Sequence, residues 1–298
     1  MNRLPPPELP SWLDAMVPFT RYRVEVVPGL AVHVMEQGEG RPVVLFHGNP
    51  TWGFLYRKVA AELLGEGFRL IMPDLVGLGF SDRPAAVEDH SLENHSRWMA
   101  ALLERLEVEN AIAVVQDWGG PIGIHAFSRL PGRMTAVVVM NTLLAPPKPG
   151  FKPTTFHRVF STRFGNWLSR YAGLPQRALG FAQGDRKSIS GEVARAYAYP
   201  LSRKRGNEAV AALVRMVADD MEHPTVALQG EVRDYLMRFE GPAALVWGSR
   251  DPVLGRLARR HQRMLPEARV TITDAGHFLQ EEVPGEIADA IRFVAGES

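Results

Sequence analysis

The feature that most constrains the fold of this chain is a regular alternation of short apolar runs with helical patterns. Apolar runs lie at 42–46, 68–74, 111–116 and 134–141, and helical patterns lie between them at 54–64, 91–108 and 119–131. Strands that alternate with helices predict a parallel sheet covered by helices on both faces. Two earlier runs, 22–28 and 30–36, flank Pro28-Gly29 and predict a hairpin.

The alternation is interrupted once, after Asn141. Residues 143–153 include four prolines, and 155–238 contain helical patterns without a convincing strand. The alternation then resumes with strand-like runs at 242–248 and 269–274 and helices at 255–264 and near 284–295. We therefore expect an α/β core formed by 1–142 and 239–298, with a helical cap at 143–238. Ligands in such sheets bind beyond the carboxyl ends of the strands, which is where this cap would lie.

Composition excludes several kinds of site and partner. The chain has no cysteine, so disulfides, thiol catalysis and cysteine-ligated metal sites are excluded. Its 34 basic and 33 acidic residues give a net charge of +1 without a polybasic block, so we expect no nucleic-acid partner. It shows no signal-peptide pattern and no apolar run of ~18 residues, so we expect a cytoplasmic protein without a membrane partner.

The segment VVQDWGG (114–120) places a polar residue between an apolar strand and a helix that begins with glycine. This is the context of a nucleophile elbow, a sharp strand-to-helix turn that exposes one side chain, here Asp117. Gly119 fits the small residue required two positions later, whereas Val115 does not fit the one required two positions earlier. Taken alone, Asp117 is equally well explained as a helix N-cap.

Three other segments favour a catalytic function for Asp117. HGNP (47–50) follows the third predicted strand, where α/β-hydrolases supply a backbone N–H to an oxyanion hole, and Asn49 occupies the donor position. His277 follows the last predicted strand, where that fold has its base. Asp251 lies 26 positions before His277 and completes the chain order of nucleophile, acid and histidine. The other position used for the acid holds Asn141, which has no carboxylate.

These segments resemble the haloalkane dehalogenases. HGNPTWGFLYR (47–57), DLVGLGFSDRP (74–84), QDWGGPIG (116–123) and GHFLQEE (276–282) match the pattern of that family, and the resemblance extends from about residue 20 to the C-terminus. It implies an α/β-hydrolase core, a mostly parallel sheet and an inserted helical cap. One subfamily combines an Asp–His–Asp triad with an Asn–Trp halide-binding pair, and those positions are filled here by Asp117, His277, Asp251, Asn49 and Trp118. Gly53 departs from the serine expected there.

The resemblance implies hydrolysis of a haloalkane to an alcohol and a halide. Asp117 would displace the halide and form an alkyl ester, which water activated by His277 and Asp251 would hydrolyse. Trp118 and Asn49 would donate hydrogen bonds to the departing halide. We expect no metal and no organic cofactor. The expected partners are a small apolar halogenated substrate, water and a halide ion, and self-association is left open.

The substrate pocket is harder to predict than the triad. Leu143 and Leu144 follow a strand end and are pocket candidates by position, and Phe151, Phe156 and Trp167 of the cap are further candidates. Most cap aromatic residues are expected to form the cap's own core. Trp167 is also a candidate second halide donor, as in a subfamily that uses a cap tryptophan.

Three alternatives share this scaffold. An epoxide hydrolase would need two cap tyrosines, for which the candidates are Tyr171, Tyr197, Tyr199 and Tyr235, and usually has an aromatic residue in place of Asn49. A fluoroacetate-type dehalogenase has arginine where this chain has Trp118. A non-catalytic binding protein often lacks a member of the triad, and none is lacking here.

Overall fold

The fold was analysed in a computed structural model that describes residues 3–84, 86–148, 150, 155–160, 162–169, 174, 177–202 and 207–296. The strands of these residues are β1 (Arg3–Leu4), β2 (Thr20–Val27), β3 (Leu30–Gln37), β4 (Arg41–Phe46), β5 (Phe68–Pro73), β6 (Ala111–Asp117), β7 (Met134–Thr142), β8 (Ala243–Gly248) and β9 (Arg269–Thr273). They form one sheet in the order β1-β2-β3-β5-β4-β6-β7-β8-β9. The strands β4 to β9 pair in parallel, while β1, β2 and β3 join antiparallel.

The α-helices of the described residues alternate with these strands and continue into the cap. They are α1 (Ser11–Asp14), α2 (Arg57–Glu62), α3 (Leu92–Arg105), α4 (Gly119–Ser128), α5 (Thr155–Phe160), α6 (Arg163–Trp167), α7 (Gly191–Ala198), α8 (Glu208–Arg215), α9 (Thr225–Met237), α10 (Ala258–Met264) and α11 (Pro284–Ala295). The predicted hairpin, the parallel sheet and the α/β-hydrolase fold class are thereby confirmed. Ser91 caps the start of α3, because its side chain accepts a hydrogen bond from the Asn94 N–H at 3.1 Å.

The central strands are buried on both faces of the sheet. In β4, Val44 and Phe46 pack into one apolar cluster with α3 and α4, and Val43 and Leu45 pack into a second cluster with α11. Because successive side chains of a strand point to opposite faces, a strand covered on both sides reads as a continuous apolar run. This is the pattern seen in the sequence of β4, β6, β7 and β8.

The proline-rich start of the chain packs against the core. Arg3 and Leu4 of β1 pair antiparallel with β2 at the edge of the sheet. Leu13 of α1 is fully buried against the α11 side of the sheet. This segment therefore adds a short strand at the edge of the sheet and covers part of its α11 side.

The described residues of the cap, between β7 and β8, form helices and turns without a strand. The helix α9 contacts α3, α4 and α10, so it connects the cap to the core. The extent of the cap, 143–238, remains a prediction. No helix in the described part of the chain is both long and apolar enough to span a membrane.

Candidate active site

Asp117 lies at the turn between β6 and α4. Its φ angle of 48° falls in the left-handed region, which non-glycine residues rarely adopt outside strained functional turns. The turn is tightly enclosed: a Cβ atom at Gly48 would overlap the Asp117 carboxylate, and one at Gly119 would overlap the Phe46 carbonyl oxygen. Glycine at both positions allows β4 and the start of α4 to approach the elbow.

The structure brings His277 and Asp251 to this turn. The Nε2 atom of His277 lies 3.5 Å from Oδ2 of Asp117, and its Nδ1 atom lies 2.8 Å from Oδ2 of Asp251. The Asp251 side chain is fully buried, and its Oδ1 atom accepts hydrogen bonds from the N–H groups of Val253 and Leu254. The three residues that chain order selected therefore form one hydrogen-bonded line.

Electrostatics favour a charged imidazole in this line. Burial alone would lower the pKa of His277, but the negative charge of Asp251 and the hydrogen bonds to Asp117 and Asp251 raise the pKa to about 10. Burial opposes ionisation of Asp251 in turn, yet the charge of His277 and the hydrogen bonds from His277 and Asn141 hold the pKa of that carboxyl below its ordinary value. These interactions favour the charged form of the His277 imidazole.

Two residues that were not selected from the sequence hold this line in place. The Nδ2 atom of Asn141 donates to Oδ2 of Asp251 at 2.8 Å, and its amide also pairs with both backbone groups of Gly248. The Nε2 atom of Gln116 donates to the His277 carbonyl oxygen at 3.1 Å. Asn141 was set aside because it lacks a carboxylate, but it positions the residue that has one.

The loop after β4 presents Asn49 to the nucleophile. The Asn49 backbone N–H donates to Oδ1 of Asp117 at 2.8 Å, and its Nδ2 atom donates to the Val210 carbonyl oxygen of α8 at 3.0 Å. His47 supports the loop, because its Nε2 atom accepts from the Leu75 N–H at 2.9 Å and its Nδ1 atom lies 2.9 Å from the Gly48 oxygen. Burial lowers the pKa of His47, as expected for a neutral ring that both donates and accepts.

A cavity of about 600 Å³ opens beside Asp117 and Trp118. Trp118 is 8% exposed, and its indole makes no hydrogen bond to the residues that the structure describes. The apolar part of the described wall consists mainly of Pro121, Leu143, Val217, Val253, Leu254 and Leu257. The indole N–H is therefore available to a ligand in the cavity.

The predicted pocket residues occupy different places. Leu143 lines the cavity, whereas Leu144 is fully buried in the core beside Gly120. Trp167 is 53% exposed, stacks on Phe164 with ring centroids 6.3 Å apart, and is not among the described residues of the cavity wall. Phe151 and the side chain of Phe156 lie outside the described part of the chain.

Comparison with known proteins identifies the family to which this chain belongs. Residues 41–284 match the family model of the α/β-hydrolase fold. The haloalkane dehalogenase of Mycobacterium marinum is 32% identical to this chain over 92% of the chain and 93% of the relative. The chain belongs to the haloalkane dehalogenase family. The family resemblance seen in its motifs is confirmed.

Other relatives lie in and near the haloalkane dehalogenase family. The crystal structure of the Agrobacterium tumefaciens haloalkane dehalogenase has a TM-score of 0.81 and 25% identity, covering 94% of this chain and 97% of that one. The tetrameric haloalkane dehalogenase of Paraglaciecola agarilytica has a TM-score of 0.80 and 25% identity, covering 100% and 99%. A cis-3-alkyl-4-alkyloxetan-2-one decarboxylase of Shewanella oneidensis is 30% identical over 96% of this chain and 91% of the relative.

Proposed function

We propose that this protein hydrolyses haloalkanes to an alcohol and a halide through a covalent ester on Asp117. The observation that carries the proposal is the line from Asp117 through His277 to Asp251, which begins at an elbow beside an apolar cavity. In the first step, a carboxylate oxygen of Asp117 forms a bond to the halogen-bearing carbon, and the carbon–halogen bond breaks as the halide leaves with its electron pair.

The departing halide needs hydrogen-bond donors that are already in place. The indole N–H of Trp118, on the residue next to the nucleophile, has no other partner among the described residues. Asn49 uses one Nδ2–H group for the Val210 carbonyl oxygen, and its second Nδ2–H group is the proposed second donor, although Asn49 is not among the described residues of the cavity wall. Fixed donors of this kind stabilise the charge that develops on a leaving group.

The second step depends on a change in charge at Asp117. Once Asp117 is an ester it has no negative charge, so the His277 imidazolium loses one of its two carboxylate partners and releases its proton more easily. The neutral imidazole then takes a proton from water, and the hydroxide attacks the Cγ atom of the ester. The Asn49 backbone N–H stabilises the resulting oxyanion. As the oxyanion collapses, the bond from Cγ to the alkyl oxygen breaks, and His277 returns its proton to that oxygen to give the alcohol. The new Asp117 carboxyl then gives its proton to the imidazole, which restores the resting charges. Overall, one water is consumed and one proton and one halide are released.

The tyrosines give little support for epoxide hydrolysis. Tyr197 is fully buried and donates to Oε1 of Glu281 at 2.5 Å, and Tyr199 packs its ring against Trp12. No tyrosine of the described residues lines the cavity beside Asp117. Tyr171 lies outside the described part of the chain. A protonating pair of tyrosines is therefore not supported by Tyr197 or Tyr199.

A second candidate activity is decarboxylation of a cis-3-alkyl-4-alkyloxetan-2-one, a four-membered lactone. The Shewanella oneidensis relative named for this activity matches 96% of the chain. Both substrate classes offer an electrophilic carbon to a carboxylate nucleophile, so similarity alone does not separate them. We also propose self-association, in view of the tetrameric relative from Paraglaciecola agarilytica.

The deciding experiment measures product release from three substrate classes. We expect halide from short bromoalkanes and iodoalkanes, and no diol from a short epoxide. Asp117→Ala should abolish halide release, whereas the control Asp89→Ala, at an exposed carboxylate, should retain it. Carbon dioxide from a dialkyl oxetanone without halide from any haloalkane would replace the proposal with the second candidate. Diol without halide would replace it with epoxide hydrolysis.

A further inference from the structure

The cavity beside Asp117 has a strongly basic side. Five basic side chains belong to its described wall: Lys148, Arg256, Arg259, Arg260 and Arg263. Asp117 is the only acidic residue in that wall. An apolar haloalkane makes no use of five positive charges, so the function proposed above does not explain this side of the cavity.

The arginines form one surface through their spacing. Arg256 precedes α10, and Arg259, Arg260 and Arg263 follow at the third, fourth and seventh positions after it. Positions three and four apart lie on the same face of a helix, so the four guanidinium groups project together. Like charges at these spacings repel each other, which makes such a row unfavourable in the absence of a counter-charge.

No acidic side chain of the described residues forms an ion pair with this row of arginines. None of the ion pairs among the described residues includes Lys148 or any of the four arginines. Arg260 donates to the Pro146 carbonyl oxygen instead. Burial of Arg260, with the nearby charges of Arg233 and Arg263, lowers the pKa of its guanidinium, as expected where positive charge is concentrated.

We propose that the preferred substrates carry an anionic group, a carboxylate in particular, at the end remote from the halogen-bearing carbon. This inference rests on the proposed dehalogenation. The carboxylate would bind the four arginines on the basic side of the cavity. The alkyl chain would lie along Leu143, Leu254 and Leu257, and the carbon–halogen bond would lie at Asp117. A guanidinium matches a carboxylate through two parallel hydrogen bonds, which a halide product or a neutral chain cannot form.

The test compares substrates that differ only at the remote end. Halide release would be measured for 6-bromohexanoate, 6-bromohexan-1-ol and 6-bromohexane-1-sulfonate, with shorter and longer homologues of each. We expect kcat/KM for the carboxylate to exceed that for the alcohol roughly tenfold, as one net charge-assisted contact provides. The difference should appear mainly in KM and decrease at high salt, because exposed charges are screened.

Variants then test whether the arginines on the basic side of the cavity produce the preference for the carboxylate substrate. Arg256→Gln combined with Arg263→Gln should reduce the carboxylate-to-alcohol ratio roughly tenfold and leave kcat/KM for the alcohol unchanged. Arg105→Gln combined with Arg238→Gln removes the same charge outside the described cavity wall and should leave the ratio unchanged. A preference for the sulfonate equal to that for the carboxylate would contradict the carboxylate assignment.

Other outcomes separate this inference from the proposed function. Equal kcat/KM for the carboxylate and the alcohol at every chain length would overturn the anionic-substrate proposal, while halide release itself would keep the dehalogenase proposal. Hexanoate binding, measured by calorimetry on the wild type and on the double arginine variant, needs no turnover. Hexanoate that binds the wild type no better than the variant would overturn the proposal even if no substrate releases halide.

Discussion

The Nε2 atom of His277 lies 3.5 Å from Oδ2 of Asp117, so the base proposed for the second step is paired with the nucleophile of the first. This pairing makes the protonation of His277 depend on the chemical state of Asp117. In the proposed mechanism, the charge of Asp117 favours the protonated imidazole before the first step. Formation of the proposed ester would remove that charge, and the imidazole would then accept a proton from water more readily.

Replacement of His277 should therefore separate the two steps. In His277→Phe, displacement at Asp117 needs no base and should proceed, whereas hydrolysis of the ester should stop. Intact mass spectrometry after exposure to a bromoalkane should show one alkyl adduct, and peptide mapping should locate it at Asp117. The double variant Asp117→Ala/His277→Phe is the control and should remain unmodified. An unmodified His277→Phe protein, beside a wild type that turns over, would contradict the covalent mechanism.

The raised pKa of His277 also predicts how stability depends on pH. Its ordinary value is 6.5 and its value in the folded protein is about 10. Between these values the folded protein binds a proton that the unfolded chain releases, so the free energy of unfolding should fall as the pH rises from 6.5 to 10. Melting temperatures would be measured across this range for the wild type and His277→Asn. We expect the decline to be steeper in the wild type, and parallel curves would refute the assignment.

The fold and the grouping of Asp117, Asp251 and His277 were predictable from the sequence because both depend on local patterns. Strands buried on both faces read as apolar runs, and the elbow, the acid and the base each follow such a run in a fixed order. Asn141 was missed because its partner, Asp251, lies 110 positions later, and only the pairing of β7 with β8 brings them together. The edge strand Arg3–Leu4 is too short to produce a pattern.

The residues of the cavity wall were harder to predict than the grouping of Asp117, Asp251 and His277. Leu143 and Leu144 are adjacent in sequence, yet one faces the cavity and the other is packed in the core. The spacing of the arginines after Gly255 is visible in the sequence, but which way a helix face points depends on how α10 packs against α9 and β8. Cavity walls are formed by distant segments, so periodicity within one segment does not identify them.

The amide of Asn141 should matter for both stability and turnover. Asn141→Ala would remove one of the two buried partners of Oδ2 of Asp251, which keeps His277, and would remove the side-chain acceptor of the Gly248 N–H. We expect a loss of about 1.5–3 kcal/mol in the free energy of unfolding, as for hydrogen bonds to charged groups, and a lower kcat. Denaturant titration and steady-state kinetics would measure both. Asn94→Ala, which removes an exposed amide, should change neither, and the same result for Asn141→Ala would show that the amide does not position Asp251.

The halide-binding function of Trp118 can be tested with little change to the packing. Trp118→Phe keeps an aromatic ring beside the elbow and removes the indole N–H of a residue in the cavity wall. We expect kcat to fall by about 10²–10³-fold, as for the loss of one fixed donor to developing charge. The fall should be larger for a chloroalkane than for the matching iodoalkane, because the smaller halide concentrates its charge and depends more on the donor.

Trp12→Phe, at a tryptophan that packs against Tyr199, is the matched control and should keep wild-type kcat. A Trp118→Phe protein with unchanged kcat for both halides would exclude the indole as a halide donor and leave Asn49 as the remaining candidate.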